Sequence, residues 1–451
     1  MLYGYLMPHP PLLVPGIGTG DEIPATRQAC EQIASEIQEI APDTVVIISP
    51  HSILYEDYFH IAPGKNARGD FGDFRAPQIK FSIEYDEELA EVIEEIAQEK
   101  GLKAGTLGAK QRALDHGVMV PLFFLQSLRI LRISLSGLSF LEHYRLGMCI
   151  STAAERLGRR IVVVASGDMS HRLSESEPYG FNPAGPEHDA LVCDCIREAD
   201  VERLLSISPN LCELAGECGT RSLIMMLGAL DGLQIESCLL SYEGPFGVGY
   251  LTAAFCGSKE SHSLLPRLQS EKDDRLAKIR ETEDEYTRLA RMNTEHYVQT
   301  GQCIDLPGSL PSEMLIKQAG VFVSIKKQGR LRGCIGTISP VKEHIAREII
   351  ENSVSAASRD PRFDPIQADE LAELTYSVDV LAPAEPISGL HELDVERYGV
   401  IVSCGYRRGL LLPNLEGVDT VEQQIDIARQ KAGIGKGERY QLERFEVVRH
   451  V

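Results

Sequence analysis

The chain has 451 residues and a formal net charge of −21, enough length for two or three cores on a prior of ~150 residues per domain. The acidic balance argues against nucleic acid as a partner, because phosphate-backbone binding needs clustered Lys and Arg to release counterions. The longest near-apolar runs, such as VMVPLFFL at 118–125, fall short of the ~20 residues of a membrane span, and the N-terminal stretch lacks a basic flank and a signal-peptide core, so a soluble, cytoplasmic protein with no membrane partner is expected.

In chain order, short β-branched runs alternate with helical periodicity up to about residue 258. YGYLM (3–7), TVVIIS (44–49), RILRISL (129–135), RIVVVAS (160–166), IESCLLS (235–241) and GVGYLTAAF (247–255) predict strands. DEELAEVIEEIAQEK (86–100) predicts an amphipathic helix with Leu89, Val92, Ile93 and Ile96 on one face. The alternation predicts an α/β domain over 1–258, with a central sheet flanked by helices. GSKESHSLLPRLQSEKDD (257–274) is polar with little periodic signal, and a linker is expected over 259–274. From about 275, a helix with Leu276, Ile279, Tyr286 and Leu289 opens a smaller α+β unit that runs to residue 451. VFVSIKK (321–327), LTYSVDVLA (374–382) and GVIVSC (399–404) predict its strands. The charge-dense EKDDRLAKIRETEDEY is expected to be a solvated helix face.

Three histidines stand where hydrophobic strands stop: His9 after YGYLMP, His51 after TVVIISP and His171 after VVVASGDMS. Ligands of open α/β sheets bind outside the carboxyl ends of the strands, so these imidazoles are expected on one rim. His116, in LDHGVMVPL, opens an apolar helix and is a fourth candidate, and His188, in GPEHD, a further one. Neutral imidazole is a common transition-metal ligand, and two histidines with one anionic ligand suit non-haem Fe(II). For the anionic position ECGTRSLIMMLGAL offers Glu217 and Cys218, and YEGPFG offers Glu243. Asp168, in SGDMSH, is read as accepting the second N–H of an imidazole or as capping a loop. The scattered, odd-numbered cysteines, with no CxxC pair, argue for reduced thiols. Gly16, Gly18 and Gly20 of GIGTGD lack the strand–helix context of a dinucleotide loop.

PHPPLL, SPHS, DHG and SGDMSH, in this order, resemble the LigB-type class III extradiol dioxygenases, and in particular the branch that includes the Memo proteins, over residues 1–256. The resemblance implies that His9 and His51 hold Fe(II), with copper or zinc as alternatives. It implies that His171 is the acid–base histidine and that His116 orients substrate or oxygen. The third ligand stays open, since dioxygenases place a glutamate before the helix, matching Glu217, and Memo-type proteins a cysteine in a CG pair, matching Cys218. The implied substrates are O2 and a catechol- or aminophenol-like chelator, with a metal-binding redox or adaptor role without turnover as the alternative.

In the second unit LRGCIG (331–336) places Cys334 between two glycines, predicting a tight turn with an exposed thiol or else a bulge with a buried one. Arg332 would lower the thiol pKa if it lay nearby. With RDPRF (359–363) and KAGI (431–434), the string resembles the AMMECR domain over 275–451. Arg332, Cys334 and Arg362 are the expected patch. Fusion of Memo-like and AMMECR modules implies a radical SAM enzyme as partner.

Overall fold

β-branched runs buried on both faces form three parallel strands of the first sheet, Thr44–Ser49, Ile130–Ser134 and Ile161–Ser166, as strands covered on both sides require. A computed structural model describes residues 1–19, 21–109, 113–125, 129–175, 179–327, 329–415 and 418–451; Gly20 of the GIGTGD segment lies outside them. The chain divides into two compact units, Met1–Ser270 and Glu271–Val451.

In the first unit Ile130–Ser134, Thr44–Ser49, Ile161–Ser166 and Leu2–Met7 lie side by side and parallel, in that order. Tyr250–Glu260 and then Leu233–Glu243 continue the sheet antiparallel beyond Leu2–Met7. Successive side chains enter different cores. Leu6, Val46, Ile48 and Val163 enter one, with helices Glu87–Glu99, Phe140–Leu157, Ala184–Glu198 and Thr220–Ala229, while Tyr5, Val45, Ile47 and Val164 enter the other, with Pro24–Ile40 and His116–Phe124. The Glu87–Glu99 helix starts at Asp86, whose carboxylate accepts the Leu89 N–H, and buries Leu89, Ile93 and Ile96.

Helices Phe140–Leu157 and Thr220–Ala229 meet backbone to backbone. A Cβ at Gly147 would lie 1.9 Å from the Met225 carbonyl oxygen, and one at Gly228 would lie 2.0 Å from that of Tyr144. Only glycine permits that approach.

The stretch read as a linker is structured: the strand runs on to Glu260, and a helix spans Leu265–Thr282. The single helix expected from 275 is two helices, Leu265–Thr282 and Glu285–Thr300, because Asp284 turns its carboxylate to the Tyr286 and Thr287 N–H groups and starts a new one.

The second unit holds an antiparallel sheet in the order Arg330–Gly336, Val321–Lys327, Leu374–Leu381, Gln441–His450, Tyr398–Cys404 and Arg407–Leu411. Val321, Val323 and Ile325 pack with helices Glu285–Thr300 and Ile345–Ser358. LRGCIG is a strand whose register shifts beside Gly333, Ile325 facing Gly333 and Lys326 facing Leu331, which is the bulge of the two alternatives rather than the tight turn. Gly333 is needed because the Ile345–Ser358 helix lies on it: a Cβ there would sit 2.1 Å from the Ala356 carbonyl oxygen. Among the described residues no helix is long and apolar enough to cross a membrane, and no disulfide forms.

Candidate metal centre

The parallel strands end together, so the loops after Met7, Ser49 and Ser166 share one rim of the sheet. His9, buried to 2% exposure, follows the first strand, and its backbone N–H donates to Asp168 Oδ1 at 2.9 Å. The imidazole is set by Ser166. That hydroxyl donates its one proton to the Gly117 carbonyl at 2.5 Å, so at 2.9 Å it accepts from His9 Nδ1–H. His9 Nε2 is therefore left with a bare lone pair. Ser166, and not Asp168, takes the second N–H of this ring. Asp168 holds the loop through the His9 backbone instead, with Oδ2 3.7 Å from His9 Nε2.

His51 Nε2 lies 3.0 Å from His9 Nε2. His116 stacks on the His51 ring, centroids 4.1 Å apart, and the ligand atoms of His9, His51 and His116 all lie within 4.8 Å of one another. Cys218 Sγ is 3.7 Å from His9 Nε2 and 3.9 Å from His171 Nε2. Its position is fixed by Asp168, whose backbone N–H donates to the sulfur at 3.2 Å. The structure thus brings His9, His51, His116, His171, Asp168 and Cys218 to one place.

Glu217 turns the other way. Its Oε2 accepts the Thr220 N–H at 2.6 Å, and its carboxylate clusters with His188 and Cys212. His188 is itself occupied, Nδ1 bonded to Asp189 and Nε2 to Thr220, each at 2.9 Å. Glu243 accepts from Thr26 N and Oγ1, both at 2.7 Å, in the first turn of Pro24–Ile40.

Burial holds His9 well below the ordinary imidazole value, and repulsion from His51, His116 and His171 adds to it. Burial and the neighbouring His116 lower His51 to about 4. Burial also lowers His116 and His171. All four rings are neutral near pH 7, the state in which imidazole ligates a metal. Burial pushes Asp168 up to about 7 and, with the Asp168 charge, lifts the Cys218 thiol well above its usual range.

These residues fit a metal ion. Two nitrogens bound at ~2.1 Å and about a right angle to one ion stand ~3.0 Å apart, the separation of His9 and His51 Nε2. The outward ring nitrogen of His9 has the hydrogen-bond partner that fixes a ligating tautomer.

Residues with no obvious chemistry support the centre: Ser49, Ser52, Asp115, Arg132 and Ser166. Asp115 carried a readable signal, an aspartate directly before an apolar helical run, which marks a helix start.

In the second unit Arg332 gives its guanidinium to Glu370, at 3.0 and 2.9 Å, and to the Asp364 carbonyl at 2.8 Å. The guanidinium beside Cys334 is that of Arg362, which bonds Asp360 and reaches the Cys334 carbonyl at 3.3 Å. Asp360 also accepts the Cys334 N–H at 2.8 Å. Burial raises the Cys334 thiol, against Ser324 and Arg362, which lower it. Arg362, and not Arg332, is the guanidinium that pulls the thiol down against its burial.

Comparison with known proteins gives the family of each unit. The family described as the catalytic LigB subunit of aromatic ring-opening dioxygenase matches residues 3–253, and the AMMECR1 family matches 287–450. Protein CA_C1420 of Clostridium acetobutylicum is 42% identical over 460 residues, covering 99% of this chain and 98% of that one. A Thermotoga maritima protein is 47% identical over 170 residues, 37% of this chain and 98% of its own. Among solved structures, uncharacterized protein PH0010 from Pyrococcus horikoshii is 32% identical with a TM-score of 0.34, covering 36% of this chain and 88% of that one. The chain therefore belongs to the LigB family of ring-opening dioxygenase catalytic subunits through its first unit and carries an AMMECR1 domain in its second.

Proposed function

We propose that the first unit is a non-haem Fe(II) dioxygenase that opens the ring of a catechol- or aminophenol-like substrate with O2. The observation that carries this reading is the pair of Nε2 atoms of His9 and His51, 3.0 Å apart, with Cys218 Sγ 3.7 Å from one of them. His9 and His51 would hold the ion and Cys218 would complete the set, with His116 beside them. Bound Fe(II) would supply a Lewis acid that gathers both reactants and activates O2. Both oxygen atoms enter the product as the carbon–carbon bond next to the diol breaks, so no outside reductant is needed.

The side chains perform the rest. His171, neutral because burial lowers its pKa, accepts a substrate hydroxyl proton at a ring nitrogen and later returns it. Phe74 stands edge-on to His116 at 5.5 Å and Tyr179 beside His171 at 5.2 Å, so the two flanks of the histidine cluster are aromatic and suit a planar ring.

The test is oxygen uptake by protein loaded anaerobically with Fe(II), against a panel of catechols and aminophenols. Uptake with ring-opened product is the expected result. Tight Fe(II) binding with no uptake on any member would overturn turnover and favour a second reading, a metal-binding redox or adaptor protein. That reading is supported by the Cys218 sulfur near His9 where a carboxylate would favour Fe(II), since a thiolate also suits copper or zinc. Under it, a radical SAM enzyme is the proposed partner, and its retention by the full chain on affinity purification is the check.

A further inference from the structure

The DHG tripeptide, Asp115–His116–Gly117, touches the support of three histidines in the cluster, His9, His51 and His116. Asp115 Oδ1 accepts Ser49 Oγ–H at 2.6 Å and the Val118 N–H at 3.2 Å. Its other oxygen accepts Ser52 Oγ–H at 2.6 Å and lies 3.6 Å from Arg132 Nη1. Ser49 and Ser52 bracket His51, whose own backbone N–H donates to Ser49 Oγ at 3.3 Å. Gly117 supplies the carbonyl that fixes the Ser166 hydroxyl, and through it the His9 ring.

A helix cap alone does not account for this. Capping the Val118 N–H uses one carboxylate oxygen, yet the second oxygen is also engaged, by a serine of the His51 loop and by Arg132, which is 1% exposed. Burying a guanidinium costs desolvation that its ion pair does not reliably recover. Arg132 is further tied to the Ala113 carbonyl at 2.8 Å, just upstream of Asp115. The arrangement spends stability on holding one carboxylate still.

We propose that Asp115 is the positioning residue of the centre: through Ser49 and Ser52 it sets the His51 ring, and through the helix start it sets His116, so that the two stacked imidazoles face His9 in one register. The proposal rests on the metal reading for its purpose but not for its geometry. Asp115 itself touches neither substrate nor ion.

The test uses the full chain with histidine ring nitrogens labelled, as wild type, Asp115→Asn, the double variant Ser49→Ala/Ser52→Ala, and His51→Ala. Two quantities are read: the ring 1H–15N NMR signals of metal-free protein, and Fe(II) affinity by anaerobic chelator competition. Asp115→Asn keeps a cap acceptor but loses one of two acceptor oxygens, and it should displace the His51 and His116 ring signals and weaken Fe(II) binding roughly 10- to 100-fold, the usual effect of removing such outer partners. The serine pair should do the same while leaving the cap intact, and it decides the matter if Asp115→Asn does not fold. Unchanged His51 and His116 ring signals in the folded variants overturn the proposal. Wild-type protein that binds no Fe(II) would instead overturn the metal reading, with the ring signals still deciding the role of Asp115.

Discussion

His9 Nε2 and His51 Nε2 face each other at 3.0 Å although 42 positions separate them in the chain. With His9 Nδ1–H given to Ser166, only His51 can supply the proton between them, and a cation would take that proton's place. Protein purified without oxygen and supplied with Fe(II) should hold about one iron per chain, and His51→Ala should lose most of it. Elemental analysis checks this, and an unchanged iron content would exclude His51 as a ligand.

Glu217 and Cys218 are adjacent, but only Cys218 reaches His9. Cys218→Ser should weaken metal binding at least tenfold, since it replaces a soft anionic donor with a neutral one. Glu217→Ala should leave binding close to wild type and lower stability by about 1.5–3 kcal/mol, the worth of a charge-assisted bond to the Thr220 N–H. Chelator competition and thermal unfolding, run on both variants, separate the two roles; the reverse pattern would make Glu217 the ligand.

Replacement of His171 by Phe removes the proposed proton acceptor while keeping a ring beside Tyr179. Metal content should persist and ring cleavage should fall by ~10²- to 10⁴-fold. Full turnover in this variant would refute an acid–base role.

Acid should loosen the second unit in a narrow window. Hydrogen bonds from Arg362 hold Asp360 at about 2 against its burial. Burial would raise Glu370, but Arg332, the Gln367 N–H and Lys327 outweigh it and hold it at about 2 as well. Both values lie below the unfolded ones of ~3.9 and ~4.3. The stabilisation is therefore complete above pH ~5 and lost as pH falls from there through ~2. Each group contributes on the order of 2 kcal/mol, and Arg332→Gln should remove most of the Glu370 share. Denaturant unfolding at a series of pH values would show it, and a flat profile between pH 5 and 2 would contradict it.

Gly333→Ala places a methyl 2.1 Å from the Ala356 carbonyl. Strand and helix must separate to admit it, and a loss of about 1–3 kcal/mol is expected. A melting temperature equal to wild type would show that the contact yields freely.

The strands of the first unit were legible because burial on both faces demands unbroken β-branched runs, and Thr44–Ser49 and Ile161–Ser166 spell them out. That legibility carried over to the rim, where His9 and His51 simply follow strand ends. At LRGCIG the choice between turn and bulge stayed open for an equally physical reason: glycines that admit a helix against a strand look the same in sequence as glycines that make a turn. The choice between residues 217 and 218 depended on which way one loop faces, which no periodicity records. The serines around Asp115 carried no signal, since Ser49 and Ser52 acquire meaning only when the loop folds back on the helix start.

The glycine crossing of Phe140–Leu157 and Thr220–Ala229 bears on which ion the centre accepts. Under the proposed metal reading, Cys218 stands two residues before a helix seated main chain against main chain on its neighbour, so the backbone that carries the sulfur has little freedom to shift with ionic radius. Selectivity among ions would then rest on donors that are each held from behind: His9 by Ser166, His51 by the serines on Asp115, and Cys218 by the helix it precedes.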